Sequence, residues 1–259
     1  MHRDKSFSAL PSVPVLGVGI NAVNWPQALG LIAAWSANKE SRYICISNVH
    51  SVVTTTQDAE FKQVVDGADM VTPDGAPVAW MLRKQGFSDQ QRINGPDLMW
   101  KYCAEAALRG ESIYLYGGEP RTLESLLQRL RNAFPGLPVA GAFSPPFRAA
   151  SAEEDEADVA RINRSGAGTV WVSLGCPKQE KWMADHRGRV NAVMIGVGAA
   201  FDYHAGTIRR APLWMQQRGL EWLYRLLSEP RRLWKRYLVS NALFVLGAVR
   251  QLWTHHARR

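Results

Sequence analysis

Short, almost fully apolar stretches alternate along this chain with longer segments whose apolar residues recur at helical spacing. The short stretches predict strands at 43–47, 69–73, 112–117, 138–144, 169–175 and 192–198. The longer segments predict helices at 25–38, 59–68, 96–110, 121–134, 153–166 and 178–189. Strands that are apolar on both faces are typical of a parallel sheet covered by helices on both sides. We therefore expect an α/β fold with a mainly parallel sheet flanked by helices, in which Gly110 and Gly166 end two of the helices.

The pattern changes near residue 206, where the strand signals stop. Beyond it the chain is a basic amphipathic helical segment, interrupted at Pro212 and Pro230. We place a boundary at 204–212, between an α/β core (1–205) and a helical appendage (206–259). The formal net charge of +8 splits into −1 for the core and +9 for the appendage. The appendage also holds four of the ten Trp residues, at positions 214, 222, 234 and 253.

Basic residues interleaved with Trp, Tyr and Leu are typical of a helix that lies on an anionic membrane surface. Nucleic acid would attract the same charge. The longest apolar run, 238–249, is shorter than the roughly 20 residues of a spanning helix. The N-terminus lacks a signal-peptide hydrophobic region. We therefore expect a soluble or peripheral protein.

The composition, 46% hydrophobic and 21% charged, is that of a folded globular unit and excludes disorder for most of the chain. Three scattered Cys residues exclude a disulfide framework or a zinc cluster, which suits a reducing cytoplasm. The chain contains no Asp-x-Asp pair. The sequence therefore offers no evident ligand set for a metal that neutralises a diphosphate.

Polar residues follow several of the predicted strands, and in such sheets ligands bind beyond the carboxyl ends of the strands. Asn48, Asp74 and Asp202 occupy such positions. The Pro before Asp74 and Gly75 after it bend the chain and expose the carboxylate at the rim of the sheet, where it could serve as a general base. The alternative is that Asp74 caps the helix that begins at Ala76.

Two further pairs of charged or amide residues lie at predicted helix starts. Lys178 and Gln179 follow a strand, so a cation, an amide and free backbone N–H groups face the strand end. This suits a phosphate or a sugar hydroxyl, and an ordinary helix start is the alternative. Arg92 and Asp97 bracket another helix start, where a surface salt bridge explains either residue.

The appendage carries a run of basic residues around Pro230. If Pro230 only kinks the helix, Arg225, Arg232 and either Lys235 or Arg236 share one helical face. A solvated face is the usual meaning of such a run, whereas the concentration of charge indicates an anionic partner.

The segment GVGINA at 17–22 matches a dinucleotide-binding pattern, which would indicate a nicotinamide-dependent enzyme. The following residues delay any helix to about Trp25, so the glycines do not open a helix as that pattern requires. We interpret the match as fortuitous.

Six blocks in this chain resemble, in order, the signature blocks of the WecG/TagA/CpsF glycosyltransferases, glycosyltransferase family 26. They are TPDGAPVAW (72–80), RINGPDL (92–98), IYLYGG (113–118), VSLGCPKQEKW (172–182), GVGAAFDYHAGTIRRAPLWMQQRGLEWLYRL (196–226) and EPRRLWKRYL (229–238). The resemblance spans about residues 13–238. It implies a Rossmann-like sheet and an inverting, metal-independent and cofactor-free transferase. Such an enzyme moves glucose or an N-acetylmannosamine-type sugar from a UDP donor to a polyprenyl-diphosphate-linked acceptor.

The resemblance also implies where the enzyme works and which residues act. The enzyme would work at the inner face of the plasma membrane, in the synthesis of a bacterial exopolysaccharide or cell-surface glycan. The catalytic residues would be Asp74, which acts as the base, together with Arg92 and Gln179. Together with the strand-end positions, the blocks imply a substrate-binding set of Asn48, Gly75, Asp97, Lys178, Asp202, Arg225, Arg232, Lys235 and Arg236. Arginine and lysine would supply the positive charge that a metal supplies elsewhere.

The family usually has Thr-x-Asn after the second strand, where this chain has Ile46, Ser47 and Asn48, so the asparagine is retained and the threonine is not. The sequence SNVH at 47–50 resembles glucosyltransferase-like members of the GumM type. The rival interpretation of the whole chain is a non-enzymatic module that binds a membrane surface or nucleic acid through its basic appendage. It predicts no affinity for UDP, whereas the transferase interpretation predicts no nucleic-acid partner. The apolar faces of the appendage could also pack against a second subunit of a homo-oligomer.

Overall fold

The computed structural model of the protein describes residues 10–256, which form eight strands and twelve helices. The strands are β1 (Ser12–Val15), β2 (Val18–Asn21), β3 (Arg42–Ser47), β4 (Met70–Pro73), β5 (Ile113–Gly117), β6 (Val139–Phe143), β7 (Thr169–Ser173) and β8 (Val193–Gly196). The first six helices are α1 (Trp25–Ala37), α2 (Val49–Gln57), α3 (Ala59–Asp66), α4 (Ala76–Lys84), α5 (Gly95–Arg109) and α6 (Pro120–Ala133). The others are α7 (Ala152–Ser165), α8 (Lys178–Asp185), α9 (Ala200–Ala205), α10 (Leu213–Gln217), α11 (Glu221–Ser228) and α12 (Pro230–His256).

Six strands form one parallel sheet in the order β4-β3-β8-β7-β5-β6. In its centre, Ile195 of β8 lies between Ile44 of β3 and Trp171 of β7. All six predicted strands are confirmed, and so are the helices predicted between them. The expected α/β class with a Rossmann-like parallel sheet is therefore correct.

Each face of the sheet has its own apolar core, because successive side chains of a strand point to opposite faces. Along β3, Ile44 and Ile46 pack with α1, α5 and α6, whereas Tyr43 and Cys45 pack with α2, α3, α4 and α8. Covered on both faces, the strands have almost no polar positions, which is why the sequence shows them as short apolar runs.

Local signals explain where several helices begin and end. A capping box of Asn24 and Gln27 opens α1, and one of Ser151 and Glu154 opens the acidic first turn of α7. Gly110 and Gly166 end α5 and α7 in the left-handed conformation, as predicted.

The segment that resembles a dinucleotide motif belongs to an antiparallel hairpin of β1 and β2, which the sequence analysis did not predict. Leu16 and Gly17 form its turn, and both have positive φ values, of 51° and 80°. The next helix, α1, begins only at Trp25. The glycines therefore do not open a helix, and the interpretation of the match as fortuitous is correct.

The appendage consists of α10, α11 and α12 and contains no strand within residues 206–256, as predicted. Phe244 and Ala248 of α12 are buried in the core cluster that includes α2. Gln251 holds the hairpin turn, because its Oε1 accepts from Leu16 N at 2.8 Å and its Nε2 donates to Pro14 O at 2.7 Å. The appendage is thus docked on the core, and the division at 204–212 stays a prediction.

Across residues 10–256, we find no helix with the length and apolar character to cross a membrane. This agrees with the expectation from the run at 238–249, which lies inside α12.

Candidate active site beyond the strand ends

The loops that follow β3, β4, β7 and β8 open at one edge of the sheet, and α11 and the start of α12 lie above them. Three contacts define this roof. His50 Nδ1 lies 3.3 Å from Ser240 Oγ of α12, and the ring of Tyr203 in α9 lies 5.7 Å from Cζ of Arg225. The third is the ion pair between the core and α11 described below. The arrangement encloses polar groups at the place where parallel sheets bind ligands.

Asp74 directly follows β4, and its N–H donates to Ser47 O at 2.9 Å across the neighbouring strand end. Gly75, with φ of 85°, is the N-cap residue of α4, and no side chain caps that helix. The capping interpretation of Asp74 is therefore wrong. A residue with a side chain would be strained at this φ, so glycine allows the sharp bend after the carboxylate.

The carboxyl group of Asp74 is held away from water, and this raises its pKa to about 6. Two arginines, Arg92 and Arg210, act in the opposite direction and lower that pKa, whereas Glu221 raises it further. Asp74 is thus a half-buried carboxylate whose ionisation depends on groups from both the core and the appendage.

An ion-pair network joins the core to the appendage beside Asp74. Arg92 Nη2 lies 2.9 Å from Glu221 Oε2 of α11, and Arg210 Nε lies 3.4 Å from the other oxygen of Glu221. Arg210 also donates to both oxygens of Asp97. Burial alone would raise the pKa of Asp97, but hydrogen bonds from Arg210 and from Asn94 lower it below its usual value.

Arg92 and Asp97 both form ion pairs, as the local explanation expected, and the structure adds where their partners come from. A simple surface salt bridge was the local explanation for either residue, but both are less than half exposed and each pairs with a residue of the appendage or its connecting loop. Sequence reasoning could not find these partners, because Glu221 and Arg210 lie more than 100 positions away along the chain.

Asn48 occupies the N-cap of α2, at the end of β3. Its Oδ1 accepts from the N–H groups of His50 at 3.0 Å and Ser51 at 3.2 Å. The side-chain oxygen is therefore used by the helix, and the Nδ2 amide is the group left to contact a ligand.

Gln179 is buried, and both ends of its amide are occupied. Its Oε1 accepts from Gly198 N at 3.0 Å and its Nε2 donates to Glu180 Oε1 at 2.9 Å. Gln179 thus fixes the turn after β8 rather than pointing openly at the strand end. Lys178, the first residue of α8, is exposed at the surface.

Asp202 lies in the first turn of α9, after β8. Its Oδ1 accepts from Thr207 Oγ1 at 3.2 Å and from Thr122 Oγ1 of α6 at 3.5 Å. The residue therefore connects the turn after α9 to α6, on the side of the sheet edge towards β5.

The basic side chains of the appendage form two groups, one that points towards the core and one that points to the surface. Arg225 and Arg236 point inward, and the Nε atom of each is buried without a hydrogen-bond partner in residues 10–256. Arg232, 62% exposed, pairs with Glu229, and Lys235 is exposed with its Nζ 5.5 Å from the centroid of the Trp234 ring. The expected common face is therefore wrong.

The reason for this separation lies between α11 and α12. The helical conformation is broken at Glu229, with φ of −134° and ψ of 57°, and α12 begins at Pro230. Pro230 does not simply kink one continuous helix. Helical spacing consequently cannot be counted from Arg225 to the residues of α12.

His50 is a further polar residue of this site to which the sequence analysis gave no role. Burial, and then the nearby charge of Arg236, lower the pKa of His50 to about 4. The available signal was its position, two residues after Asn48 at the end of a strand.

Among residues 10–256, no group of three or more His, Cys, Asp or Glu side chains is placed to hold a metal ion. The charged groups that surround the half-buried Asp74 and His50 are arginines and Glu221.

A comparison with protein families decides the class of protein. The sequence model of one family, described as "Glycosyl transferase WecG/TagA/CpsF family", matches residues 13–258. The chain belongs to this family of glycosyltransferases. The match includes α10, α11 and α12, so the appendage is part of the region that defines the family. As a glycosyltransferase, the protein acts on a sugar donor and an acceptor.

Proposed function

We propose that this glycosyltransferase moves a sugar from a UDP donor to a hydroxyl of a polyprenyl-diphosphate-linked acceptor, with inversion at the anomeric carbon and with Asp74 as general base. The observation that carries the proposal is the half-buried carboxylate of Asp74, with a pKa near 6, at a strand end roofed by inward-pointing arginines.

In this reaction Asp74 takes the proton of the acceptor hydroxyl as its oxygen attacks the anomeric carbon. The bond from that carbon to the oxygen of the β-phosphate breaks, and UDP leaves with the bonding electron pair. A pKa near 6 suits this role, because the group is mostly ionised at neutral pH yet more basic than an ordinary aspartate.

Arg225 and Arg236 support the departure of UDP. Their buried Nε groups have no hydrogen-bond partner in the described chain, although buried polar groups are normally satisfied. A diphosphate between α11, α12 and the strand ends would satisfy them and be stabilised as its charge grows. This is the role that a metal ion fills in other sugar-nucleotide enzymes, so we propose transfer without a metal.

A membrane-bound acceptor fits the outer surface of the appendage. Large apolar side chains are exposed along α12: Trp234, Leu238, Val239, Leu243, Val245, Leu246, Val249 and Trp253. Leu213, Trp214, Trp222 and Leu227 are exposed on α10 and α11 as well. Large exposed apolar patches mark interaction sites with membranes or other proteins. We propose that this outer apolar face lies on the cytoplasmic leaflet, where the basic residues of the appendage meet anionic lipid.

Core (1–205) and appendage (206–259) would then share one active site, because the network around Asp74 needs Glu221 from α11. If it did not lie on a membrane, the same apolar face would be the surface for a second subunit.

For the donor sugar we propose glucose or an N-acetylmannosamine-type sugar, and for the product a bacterial exopolysaccharide or cell-surface glycan.

The test is a screen of UDP-sugars for turnover with a short polyprenyl-diphosphate-sugar analogue in detergent. Asp74→Asn should lower kcat by about 10²- to 10⁴-fold, leave UDP affinity near that of the wild type and not lower the melting temperature. Asp89→Asn is the matched control, since Asp89 is exposed and its side chain accepts a hydrogen bond from the neighbouring Ser88. Undiminished turnover in Asp74→Asn would remove the base assignment. Absence of UDP binding by calorimetry would instead favour a non-enzymatic binding module.

A further inference from the structure

His50 lies where the core meets the roof of the site, and its two ring nitrogens differ. Nδ1 lies 3.3 Å from the hydroxyl of the buried Ser240 in α12. Nε2 has no hydrogen-bond partner among the described residues. The serine hydroxyl can donate to Nδ1 or accept from it, so this contact suits both the neutral and the protonated imidazole.

The surroundings of His50 carry an excess of positive charge. Arg236 from α12 is the charged group that acts on the imidazole, and burial lowers the pKa of Arg236, with Arg225 from α11 lowering it further. Besides Arg225 and Arg232, the titratable groups that act on Arg236 are Tyr237 and Cys176. Burial raises the pKa of the Cys176 thiol, in the loop after β7, which keeps it uncharged. Glu221 and Glu229 raise the pKa of Arg225 without touching it, and within residues 10–256 neither Arg225 nor Arg236 forms a salt bridge. Like charges held together without a directly paired counter-ion indicate an anionic ligand.

We propose that His50 completes a diphosphate-binding pocket with Arg225 and Arg236, and that its imidazole takes up a proton when the diphosphate binds. The choice of a diphosphate rests on the proposed function, whereas the pocket itself rests on the two unpaired guanidinium groups and the open Nε2.

The proton comes from solvent and no covalent bond changes. In the free enzyme the imidazole is neutral because burial and Arg236 disfavour its charged form. A bound anion reverses this: one net negative charge about 4 Å away, at an effective dielectric constant near 20, raises a pKa by about 3. His50 would then be largely protonated at pH 6, with Nε2–H donating to a phosphate oxygen and Nδ1–H donating to Ser240 Oγ.

Calorimetry with inorganic pyrophosphate, in buffers of different ionisation enthalpy at pH 6, measures this proton directly. We expect the wild type to take up close to one proton more per bound pyrophosphate than His50→Gln. Because both proteins bind the same ligand, the difference between them cancels the proton uptake that comes from the ionisation of pyrophosphate itself. The affinity of His50→Gln should be about tenfold weaker than wild type at pH 6 and nearly equal at pH 8, because the advantage depends on protonation. A merely structural role of His50 would weaken binding equally at both pH values.

Two controls accompany the experiment. His204→Gln removes another half-buried histidine, in α9, whose pKa burial also lowers, and should leave the proton uptake unchanged. Arg231→Gln removes an exposed positive charge of the appendage and should leave pyrophosphate affinity within about threefold of wild type. Melting temperatures of all variants verify that they fold.

Parallel titrations with UDP and with geranyl diphosphate identify the source of the anion. Extra proton uptake with UDP supports a pocket for the donor, and with geranyl diphosphate a pocket for the acceptor lipid. Equal proton uptake by wild type and His50→Gln with all three ligands, or no binding of any of them, would overturn the proposal. None of these measurements needs turnover, so failure of Asp74 as the base would leave their result intact.

Discussion

Arg92 Nη2 lies 2.9 Å from Glu221 Oε2, and this ion pair ties the core to α11 beside the carboxylate of Asp74. Its two members act on Asp74 in opposite directions, since Arg92 lowers the pKa of that carboxyl and Glu221 raises it. The same contact therefore helps to hold the appendage on the core and adjusts the pKa of Asp74, which burial raises.

The pH dependence of turnover should reveal this arrangement. Because the base must be ionised, the rate of the wild type should fall as pH drops through about 6. Glu221→Gln should move the midpoint of that fall to lower pH by about half a unit, and Arg92→Gln should move it to higher pH by a similar amount. Profiles of kcat/KM between pH 4.5 and 8.5, which report the groups of the free enzyme, measure both shifts. Simple loss of the ion pair's structural role would lower kcat without opposite shifts.

Asp74→Asn should also stabilise the protein above pH 6. The folded-state pKa of Asp74 is raised, to about 6 from an ordinary 3.8, so its contribution to stability is fully present below the ordinary value and is lost as pH rises to 6. Removing the charge should therefore increase the free energy of unfolding by about 1–2 kcal/mol at pH 8 and change it little at pH 4. Urea denaturation at the two pH values tests this, and equal effects at both would contradict the shifted pKa.

The inward arginines should matter for UDP binding far more than the outward basic residues. Arg225→Gln with Arg236→Gln should weaken UDP binding at least tenfold, because buried charge-assisted hydrogen bonds are lost. The matched double variant, Arg232→Gln with Lys235→Gln, removes the same charge from exposed positions and should change affinity less than about threefold. Calorimetry at fixed ionic strength compares them. Equal losses would mean that only net charge matters.

Membrane binding should depend on the outer apolar face of α12. Leu246→Glu, at a side chain 68% exposed, should reduce co-sedimentation with anionic vesicles at least tenfold, because an apolar anchor is replaced by a negative charge. Leu108 is 90% exposed but lies on α5, outside the appendage, and Leu108→Glu is the control with the same change of charge. Equal binding by both variants would place the membrane contact elsewhere.

Gln251 should hold α12 to the core through the hairpin turn. Gln251→Ala removes its hydrogen bonds to Leu16 and Pro14, and we expect a loss of about 1–3 kcal/mol in the free energy of unfolding. Limited proteolysis should cut the appendage faster in this variant. Thr254→Ala is the control, since the Thr254 hydroxyl donates to carbonyl groups of its own helix and its loss should change neither measurement appreciably.

The sequence by itself determined the elements of the sheet and the charge of the appendage. Runs such as 43–47 and 169–175 are apolar because their strands are covered on both faces, and glycines such as Gly110 end helices through local backbone geometry. These signals depend on a few neighbouring residues. The motif blocks also identified the family, which the match to residues 13–258 confirms.

Only the tertiary structure decided which way the site residues point. The break at Glu229 turns Arg236 inward and Arg232 outward, and the docking of α11 brings Glu221 to Arg92. The hairpin of β1 and β2 escaped prediction because its short strands contain glycine and proline and gain their burial from β4, α2, α3 and α4, which come later in the chain. Side-chain direction and partner choice depend on contacts between residues far apart in the chain, and no local pattern specifies them.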